Sequence, residues 1–508
     1  MTVTLNGLGA SIADVVAVAR EFAPVAMSPK AIVQMEEART VVEDLSETEP
    51  TYGFSTGFGA LATVAIPPEK RAQLQVALVR SHAAGMGPLV ETEVVRAMIF
   101  LRARTLSLGY SGARQETALG LLDLINHKIH PHVHEYGSLG ASGDLAPLAH
   151  VALALIGEGT VEMDGENLAA LDALGRAGLQ PLVLVEKEGL ALTNGTDGIL
   201  GMLCMAVADA RLLLTTADIV TALTVEGALA TDRAFAADLL ALRPHQGQAD
   251  SAGNLRKMLE ASPLVAGHRV GDDRVQDAYS IRCTPQVHGA ARDTLRHTIQ
   301  VVEAELAAAI DNPMVMRDGR VESGGNFHGA PLGYVADFMA IALTDAGMIS
   351  ERRMDRLLDS DRNHGLPAFL AHDPGVDSGL MIGHYTAASM CEENRRLSTP
   401  SSVDSYVTSG MQEDHVSMAW SAARKLRKVI DNLGRILAVE LVIAARAVEM
   451  RGPTQPSTAS AAVVRVLRTE VPGLGPDRFL APDLEAAEEM IRSGEILKAA
   501  EVVTGELA

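Results

Sequence analysis

Apolar side chains recur at three- and four-residue steps over a long segment near the end of the chain. The periodic positions are Leu426, Val429, Ile430, Leu433, Ile436 and Leu437. This spacing places them on one face of an α-helix, which Gly452-Pro453 would end. A helix from about Ser421 to Met450 is roughly 45 Å long at ~1.5 Å per residue. A bundle of long helices is predicted by similar runs at 197–230, 290–310 and 330–358.

The composition favours an all-α fold. Of the 508 residues, 47% are hydrophobic but only 3% are aromatic, and Ala, Leu and Val dominate, which favours helix packed on helix over a β-sandwich. We expect one unit over residues 1–508, with an N-terminal part to about residue 195 and a long-helix bundle from about residue 196. The tail from about Gly452 should pack as a short helical appendix.

The formal net charge of −21 argues against a nucleic acid as partner. No Lys- or Arg-rich segment offsets this charge locally, so the chain would repel a phosphate backbone. An anionic group on a substrate must therefore meet a local Arg.

Cysteine usage and the N-terminal residues predict a soluble protein of the cytoplasm. The cysteines are Cys204, Cys283 and Cys391. They are widely spaced, odd in number and form no CxxC pair, which favours reduced thiols over disulfides or a zinc site. The first residues show no basic segment before an apolar run. The segment 436–448 contains Glu440 and Arg446 and is too short to span a bilayer, so no membrane contact is expected.

Glycine-rich or polar loops separate the periodic segments. They are YGFSTGFG (52–59), GSLGASGD (137–144), LTNGTDG (192–198), DAYSIRCTPQ (277–286), DNP (311–313), GGNFHG (324–329) and GMQEDHVSM (410–418). In a helix bundle such loops can converge on one cavity, which is how a rigid scaffold commonly presents binding residues.

Three small residues, Ala141, Ser142 and Gly143, stand together before a predicted helix start. Attack of the Gly143 nitrogen on the Ala141 carbonyl, with loss of water, closes a five-membered imidazolone ring. Loss of the Ser142 hydroxyl as a second water leaves an exocyclic methylene, so the product is an electrophile made from backbone atoms. Glycine suits this bend because a Cβ at position 143 would obstruct it.

The same stretch is compatible with a plain turn, in which Asp144 caps the following helix and Pro147 occupies its first turn. A serine nucleophile elbow fits less well. Asp144 stands where the G-x-S-x-G pattern needs its last glycine, and no strand is expected before the loop.

The full string GSLGASGDLAPLAH (137–150) resembles the signature of the aromatic amino acid ammonia-lyase family. Six further motifs and the string RSHAAGMG (80–87) follow the family order and cover most of the chain: YGFSTGFG, LTNGTDG, VQDAYSIRCTPQ, IDNP, GGNFHG and QEDHVSM. The resemblance implies an all-α fold and a homotetramer with sites built from several subunits. It also implies a 4-methylidene-imidazol-5-one group formed autocatalytically from Ala141-Ser142-Gly143, with no external cofactor and no metal.

Within the family, the motifs are most similar to those of members that deaminate L-histidine to trans-urocanate and ammonia, the first step of histidine degradation. An electrophile serves this reaction because an α-ammonium leaves poorly and the β-proton is barely acidic. The group could take the substrate amine, which helps the leaving group, or the substrate ring, which helps the proton. The residues do not decide between these two routes.

The resemblance assigns roles to individual residues. Tyr52 resembles the base that takes the β-proton, which a phenol does only where its surroundings favour the phenolate. Arg282 resembles the clamp for the substrate carboxylate, and Tyr279 assists at the same end. Asn194 and Gln276 resemble amides that orient the imidazolone and the amine. Further residues that resemble the lining of the site are Asn312, Phe327 and Gln412. The structural alternatives are a loop aromatic packed on glycines for Tyr52 and an ion pair for Arg282. For Asn194 and Gln276 they are capping or turn roles, for Asn312 an ordinary helix stop, and for Phe327 a core position.

His82 and Glu413 resemble the residues that select the substrate ring. A carboxylate at position 413 can accept the N–H of an imidazole, and His82 can exchange a hydrogen bond with the ring; relatives that act on phenylalanine or tyrosine generally lack the Glu. The alternatives are an acidic residue in the first turn of a helix and a satisfied polar group on a helix. Two positions depart from the family: Ser55, where it usually has Asn, and Tyr406, where it usually has an aliphatic residue.

Four histidines lie close together in the sequence, at His127, His130, His132 and His134. No carboxylate or thiol stands at a spacing typical of metal ligands. We expect them to be surface or loop residues.

Three interpretations of the function remain. The chain is a histidine-deaminating lyase, a related lyase or 2,3-aminomutase that acts on another aromatic amino acid, or a helical scaffold that only binds a ligand in the cavity. The intact mass separates the scaffold from the enzymes, because a matured chain is lighter by two waters. Glu413 favours histidine over the other substrates.

Overall fold

The computed structural model describes residues 2–46, 56–57, 64–272 and 274–508. The chain forms two compact units. The first unit comprises Met1–Met205, Ile299–Asp337 and Pro400–Arg424. The second unit comprises Ala206–Thr298, Phe338–Thr399 and Lys425–Ala508.

Helices form most of the first unit. They are α1 (Ile12–Arg20), α2 (Pro29–Ser46), α3 (Arg71–His82), α4 (Thr92–Ser107), α5 (Gln115–Asn126), α6 (Leu145–Leu155), α7 (Ala170–Arg176), α8 (Glu188–Thr193) and the first part of α9 (Asp197–Gly227).

Short strands pair into small ribbons in the same unit. They are β1 (Val3–Leu5) with β2 (Val25–Met27), β3 (Met86–Leu89) with β5 (His134–Tyr136), β4 (His130–Pro131) with β6 (Thr160–Met163) and β7 (Glu166–Ala169), and β8 (Met314–Val315) with β9 (Val321–Glu322). Because the strands are this short and the helices supply the core, the predicted all-α class is confirmed.

Helix α4 supplies much of the core of the first unit. Its side chains from Val94 to Ser107 are buried, and it packs against α1 and α5. A charged side chain on such a helix needs partners inside the protein. Arg102 finds them in the carbonyls of Asn194, at 2.8 Å, and Ile310, at 2.7 Å. Helix α4 therefore holds the backbone of two loops that carry candidate site residues.

The second unit contains both long and short helices. They are the remainder of α9, α10 (Ala237–Ala241), α11 (Gln246–Met258), α12 (Pro263–Ala266), α13 (Tyr279–Arg282), α14 (Thr284–Ala307), α15 (Ala330–Leu358), α16 (Met381–Leu397), α17 (Ala419–Met450), α18 (Thr458–Leu467), α19 (Ala481–Arg492) and α20 (Glu495–Thr504). The end of α14 and the first turns of α15 and α17 belong to the first unit.

The long helices predicted from periodicity are confirmed, with small shifts at their ends. All six periodic positions between Leu426 and Leu437 are buried in α17. Glu440 lies in the same helix and is also buried, where it pairs with Arg353 of α15 at 2.5 and 2.8 Å. The pairing balances the charge that interrupts the apolar face of α17.

The tail after Gly452 is helical, as predicted, but it comprises three helices, α18 to α20, and α18 packs against α20. Two other helices, α9 and α15, are long and apolar enough to cross a bilayer by length and composition alone. In these, 78% and 67% of the most apolar window is buried inside the protein, as core helices also show.

Candidate active site

The Ala141-Ser142-Gly143 loop lies between strand β5 and helix α6. The expectation that no strand precedes it is therefore wrong. Strand β5 has only three residues and pairs with β3 at two registered positions, too little for an alternating pattern in the sequence. The serine elbow remains disfavoured because Asp144 still replaces the last glycine of that pattern.

Gly143 is the tightest point of the loop. Its φ is +71°, and a Cβ built there would overlap the carbonyl of Gly195. The next amide, of Asp144, donates to the same carbonyl at 2.6 Å. A side chain at position 143 is thus excluded by conformation and by contact, which agrees with the requirement derived for ring closure.

Asp144 stands at the start of α6 but does not cap it, contrary to the prediction from the sequence. Its carboxylate instead accepts from the amides of Gly198, at 2.9 Å, and Ile199, at 3.0 Å, in the first turn of α9. Ser138 donates to its other oxygen at 2.8 Å. Burial raises the pKa of Asp144 to about 7, and these hydrogen bonds oppose the rise. One buried carboxylate therefore joins the reactive loop to α9.

A chain of hydrogen bonds leads away from the Ser142 hydroxyl. Ser142 Oγ donates to Asn194 Oδ1 at 3.2 Å, and Asn194 Nδ2 donates to the carbonyl of Asn312 at 3.2 Å. Asn312 Oδ1 accepts in turn from the amide of Gly324 at 2.9 Å. The two predicted asparagines therefore lie together beside the serine.

Two further loops meet the reactive loop at Gly140. Its carbonyl accepts from Ser417 Oγ at 2.7 Å and from the amide of Gly329 at 3.0 Å. These donors belong to the loops that precede α17 and α15. The predicted convergence of loops is thus confirmed for the segments 137–144, 192–198, 311–313, 324–329 and 410–418.

The converging loops surround a cavity of about 490 Å³ in the first unit, a volume suited to a small ligand. Predicted residues in its wall are Ala141, Ser142, Asn312, Phe327, Gln412 and Glu413. Residues that sequence reasoning did not single out are Ser323, Gly324, His328, Asp414 and His415. The rings of His328 and His415 stack with centroids 5.7 Å apart. The motifs GGNFHG and QEDHVSM contain both histidines and could have indicated them.

His82 and Glu413 belong to the same neighbourhood. Burial lowers the pKa of His82, and the Leu78 carbonyl and the negative charge of Glu413 oppose this change. Glu413 does not lie in the first turn of a helix. It pairs with Thr408 in an isolated bridge, where Thr408 Oγ1 donates to its carboxylate at 3.1 Å, ahead of α17. The helix-end alternative for Glu413 is therefore wrong.

Gln276, Tyr279 and Arg282 belong to the second unit. Gln276 and Tyr279 are exposed, and Tyr279 is 71% accessible. The Arg282 guanidinium lies over the Tyr279 ring at 4.5 Å, and its Nε has no hydrogen-bond partner among the described residues. Tyr52 and Ser55 lie outside the described residues, and Tyr406 is exposed.

The histidines near residue 130 differ in their surroundings. His127 is exposed, and His132 and His134 are partly exposed, but His130 is buried, which corrects the prediction for that residue. It bonds the Glu162 carboxylate at 2.6 Å, a partner 32 residues away in the sequence. No group of three or more metal-binding side chains occurs in the described part of the chain.

Comparisons with known proteins agree with this architecture. A family described as aromatic amino acid lyase matches residues 10–469. The histidine ammonia-lyase of Streptomyces avermitilis is 57% identical over 510 residues, which cover 100% of both chains. Among solved structures, the tyrosine aminomutase of Streptomyces globisporus has a TM-score of 0.94 at 38% identity, with 100% of both chains covered. The histidine ammonia-lyase of Trypanosoma cruzi has a TM-score of 0.92 at 36% identity, with 100% of this chain and 96% of that chain covered. The chain belongs to the aromatic amino acid lyase family.

Proposed function

We propose that this chain is a carbon–nitrogen lyase that deaminates L-histidine to trans-urocanate and ammonia. The observation that carries the proposal is the cavity whose wall contains both the Ala141-Ser142 loop and the Glu413 carboxylate. The Ala141-Ser142 loop suits formation of an electrophile, and the Glu413 carboxylate suits recognition of an imidazole N–H. The identity of 57% to a histidine ammonia-lyase supports the same substrate.

The residues fit a 4-methylidene-imidazol-5-one group formed from Ala141, Ser142 and Gly143. Gly143 has the positive φ and the close backbone contact that exclude a side chain, and Ser142 carries a hydroxyl that can be eliminated. When formed, the group supplies an electrophile for the deamination. The Asn194 amide holds the Ser142 side chain by the hydrogen bond at 3.2 Å.

Other side chains bind and orient the substrate. Glu413 accepts the ring N–H, and His82 hydrogen-bonds the ring. Arg282 binds the carboxylate, for which its planar fork is suited, as is its Nε, which has no hydrogen-bond partner in the described part of the chain. Tyr52 takes the β-proton. Residues assigned to positioning of the substrate or the prosthetic group are Asn194, Gln276, Tyr279, Asn312, Phe327 and Gln412.

We propose a homotetramer in the cytoplasm, with the whole chain as one catalytic unit and sites built from several subunits. Large apolar residues near the assigned carboxylate clamp support the assembly, since Val275 is 100% and Tyr279 71% accessible. Such side chains are commonly covered at interfaces between subunits.

The test combines product absorbance with intact mass. The purified chain should produce urocanate from L-histidine, and its mass should be lower than that of its sequence by two waters. Phenylalanine and tyrosine serve as competing substrates, and chromatography of the products detects a β-amino acid. Absence of both urocanate and water loss would contradict the proposal, and a β-amino acid as main product would replace it with an aminomutase.

A further inference from the structure

A fully buried ion pair lies next in sequence to Asn312, a residue of the cavity wall. Lys187 Nζ is 2.6 Å from Asp311 Oδ2, and both side chains are 0% accessible. Burial lowers the pKa of Lys187, and the charge of Asp311 opposes this change. The desolvation of two charges can exceed their attraction, so a buried pair is a poor means of stabilising a fold. Its presence calls for another physical reason.

The pair connects to both predicted asparagines. Lys187 directly precedes the short helix α8, and Asn194 directly follows it. Lys187 bonds Asp311, and Asn194 Nδ2 donates to the carbonyl of the next residue, Asn312. Helix α8 is thus attached at both ends to two successive residues that lie 124 and 118 positions further along the chain.

The second oxygen of Asp311 acts on Asn312 directly. The amide of Asn312 donates to Asp311 Oδ1 at 2.7 Å, while Lys187 holds the other oxygen. Asn312 is therefore held at its amide, its carbonyl and its side chain, the last by Gly324. The carbonyl of Asn312 in turn holds the amide of Asn194, which faces the Ser142 hydroxyl.

We propose that the Lys187–Asp311 ion pair is a positioning device that fixes Asn312 and, through it, the Asn194 amide against Ser142. The proposal rests on the function proposed above. Lys187 and Asp311 are positioning residues, since neither touches Ser142. Their loss would let Asn194 shift, and a misplacement of about 1 Å in a reacting geometry costs on the order of a hundredfold in rate.

Two double variants isolate this role without leaving a single buried charge. The asparagine double variant, Lys187→Met with Asp311→Asn, removes the charges but keeps an oxygen that can accept from the Asn312 amide. The leucine double variant, Lys187→Met with Asp311→Leu, removes that acceptor as well. The matched control is the double variant Arg114→Met with Glu188→Gln. It removes another ion pair, in which the Arg114 guanidinium lies 2.7 Å from the carboxylate of Glu188 in α8. This pair has no hydrogen bond to Asn312.

Intact mass measures the fraction of chains that have lost two waters, and steady-state kinetics measure kcat and KM for histidine. We expect the fraction and the kcat to fall from the wild type to the asparagine double variant and further to the leucine double variant. The loss in the leucine double variant should be about tenfold or more. KM should change far less than kcat. The control should retain both values even if its melting temperature falls.

Equal losses in the control and in the Lys187–Asp311 variants, following the melting temperature, would overturn the proposal and leave a structural role only. Unchanged water loss and kcat in both test variants would also overturn it. If the leucine double variant does not accumulate, the nearly isosteric asparagine double variant decides the outcome by the same measurements. A wild-type chain that keeps both waters and forms no urocanate overturns the proposed function, and this proposal with it. If the wild type loses two waters and forms urocanate, the variants test the positioning role alone.

Discussion

At the scale of single residues, the Ala141-Ser142-Gly143 loop is characterised by the absence of a side chain at Gly143 and by the hydroxyl of Ser142. Gly143 has no room for a Cβ against Gly195, and the Ser142 hydroxyl donates a hydrogen bond to Asn194. The chemistry proposed for the loop accounts for both features, because ring closure needs a position without a Cβ and formation of the methylene needs a hydroxyl that can leave.

We expect Ser142→Ala to abolish turnover and to leave the fold intact. The substitution removes the hydroxyl that leaves as the second water, and the lost hydrogen bond should cost about 1 kcal/mol or less in the free energy of unfolding. Urocanate absorbance and circular dichroism are the measurements. Activity close to that of the wild type would contradict the prosthetic group.

We expect Glu413→Gln or Glu413→Ala, alone or with His82→Leu, to reduce kcat/KM for histidine far more than for phenylalanine or tyrosine. A buried imidazole N–H without its acceptor costs about 1–3 kcal/mol, on the order of tenfold or more in rate. A phenyl ring has no polar edge to offer the Glu413 carboxylate and would remove water from it on binding, so the variants should reject phenylalanine less. Equal losses for histidine and phenylalanine would show that Glu413 does not contact the ring.

At the scale of secondary-structure elements, side chains at the end of one helix hydrogen-bond another helix or a distant loop. Asp144 lies at the start of α6, yet its carboxylate accepts from two amides in the first turn of α9. Lys187 and Asn194 flank α8 but bond the loop at 311–312. The helices therefore position the site through contacts at their ends.

We expect Asp144→Ala to destabilise the protein by about 1–3 kcal/mol, because two buried amides of α9 lose their acceptor. Asp144→Asn keeps an acceptor and serves as the matched comparison. Chemical denaturation of both variants gives the free energies of unfolding. Equal stability of Asp144→Ala and wild type would contradict the capping role.

The same carboxyl predicts a pH dependence. Its pKa is about 7 in the fold against an ordinary value of 3.8, so between these values the folded chain holds a proton that the unfolded chain has lost. The contribution of Asp144 to stability is therefore greatest at low pH and is lost as the pH rises through about 7. Asp144→Asn carries no such charge, so its stability relative to wild type should increase from about pH 5 to about pH 8. A constant difference across this range would contradict the raised pKa.

At the scale of the whole molecule, the accessible surface retains large apolar side chains. Val275 and Tyr279 are highly accessible, close in sequence to the residue assigned to the substrate carboxylate, Arg282. A net charge of −21 disfavours loose association of copies. Assembly then requires specific apolar contacts, which these residues offer.

We expect an obligate homotetramer in solution. Light scattering at assay concentration should give a mass close to four chains, and dilution that dissociates the assembly should abolish activity. Substitution of Val275 by Asp should weaken the assembly, because it introduces a charge into an apolar contact. A fully active monomer would contradict this prediction.

The amino-acid sequence predicted the long helices and led to a hypothesis for the chemistry of the site. Helix α17 follows from its apolar spacing, because the period of a helix is a local property of the chain. Ala141-Ser142-Gly143 and the polar loops were recognisable because their residue types are those that the proposed reaction requires. The structure confirmed the long helices, and it connects Ser142, Asn194 and Asn312 by hydrogen bonds.

Which distant groups meet depends on the packing of the helices. Asp144 caps α9 rather than α6, His130 is buried against Glu162, and Lys187 pairs with Asp311 124 residues away. Burial decides whether such a charged side chain is a solvated surface group or needs a partner. Burial and partner depend on how the helices pack, and local sequence patterns contain no information on contacts at such separations.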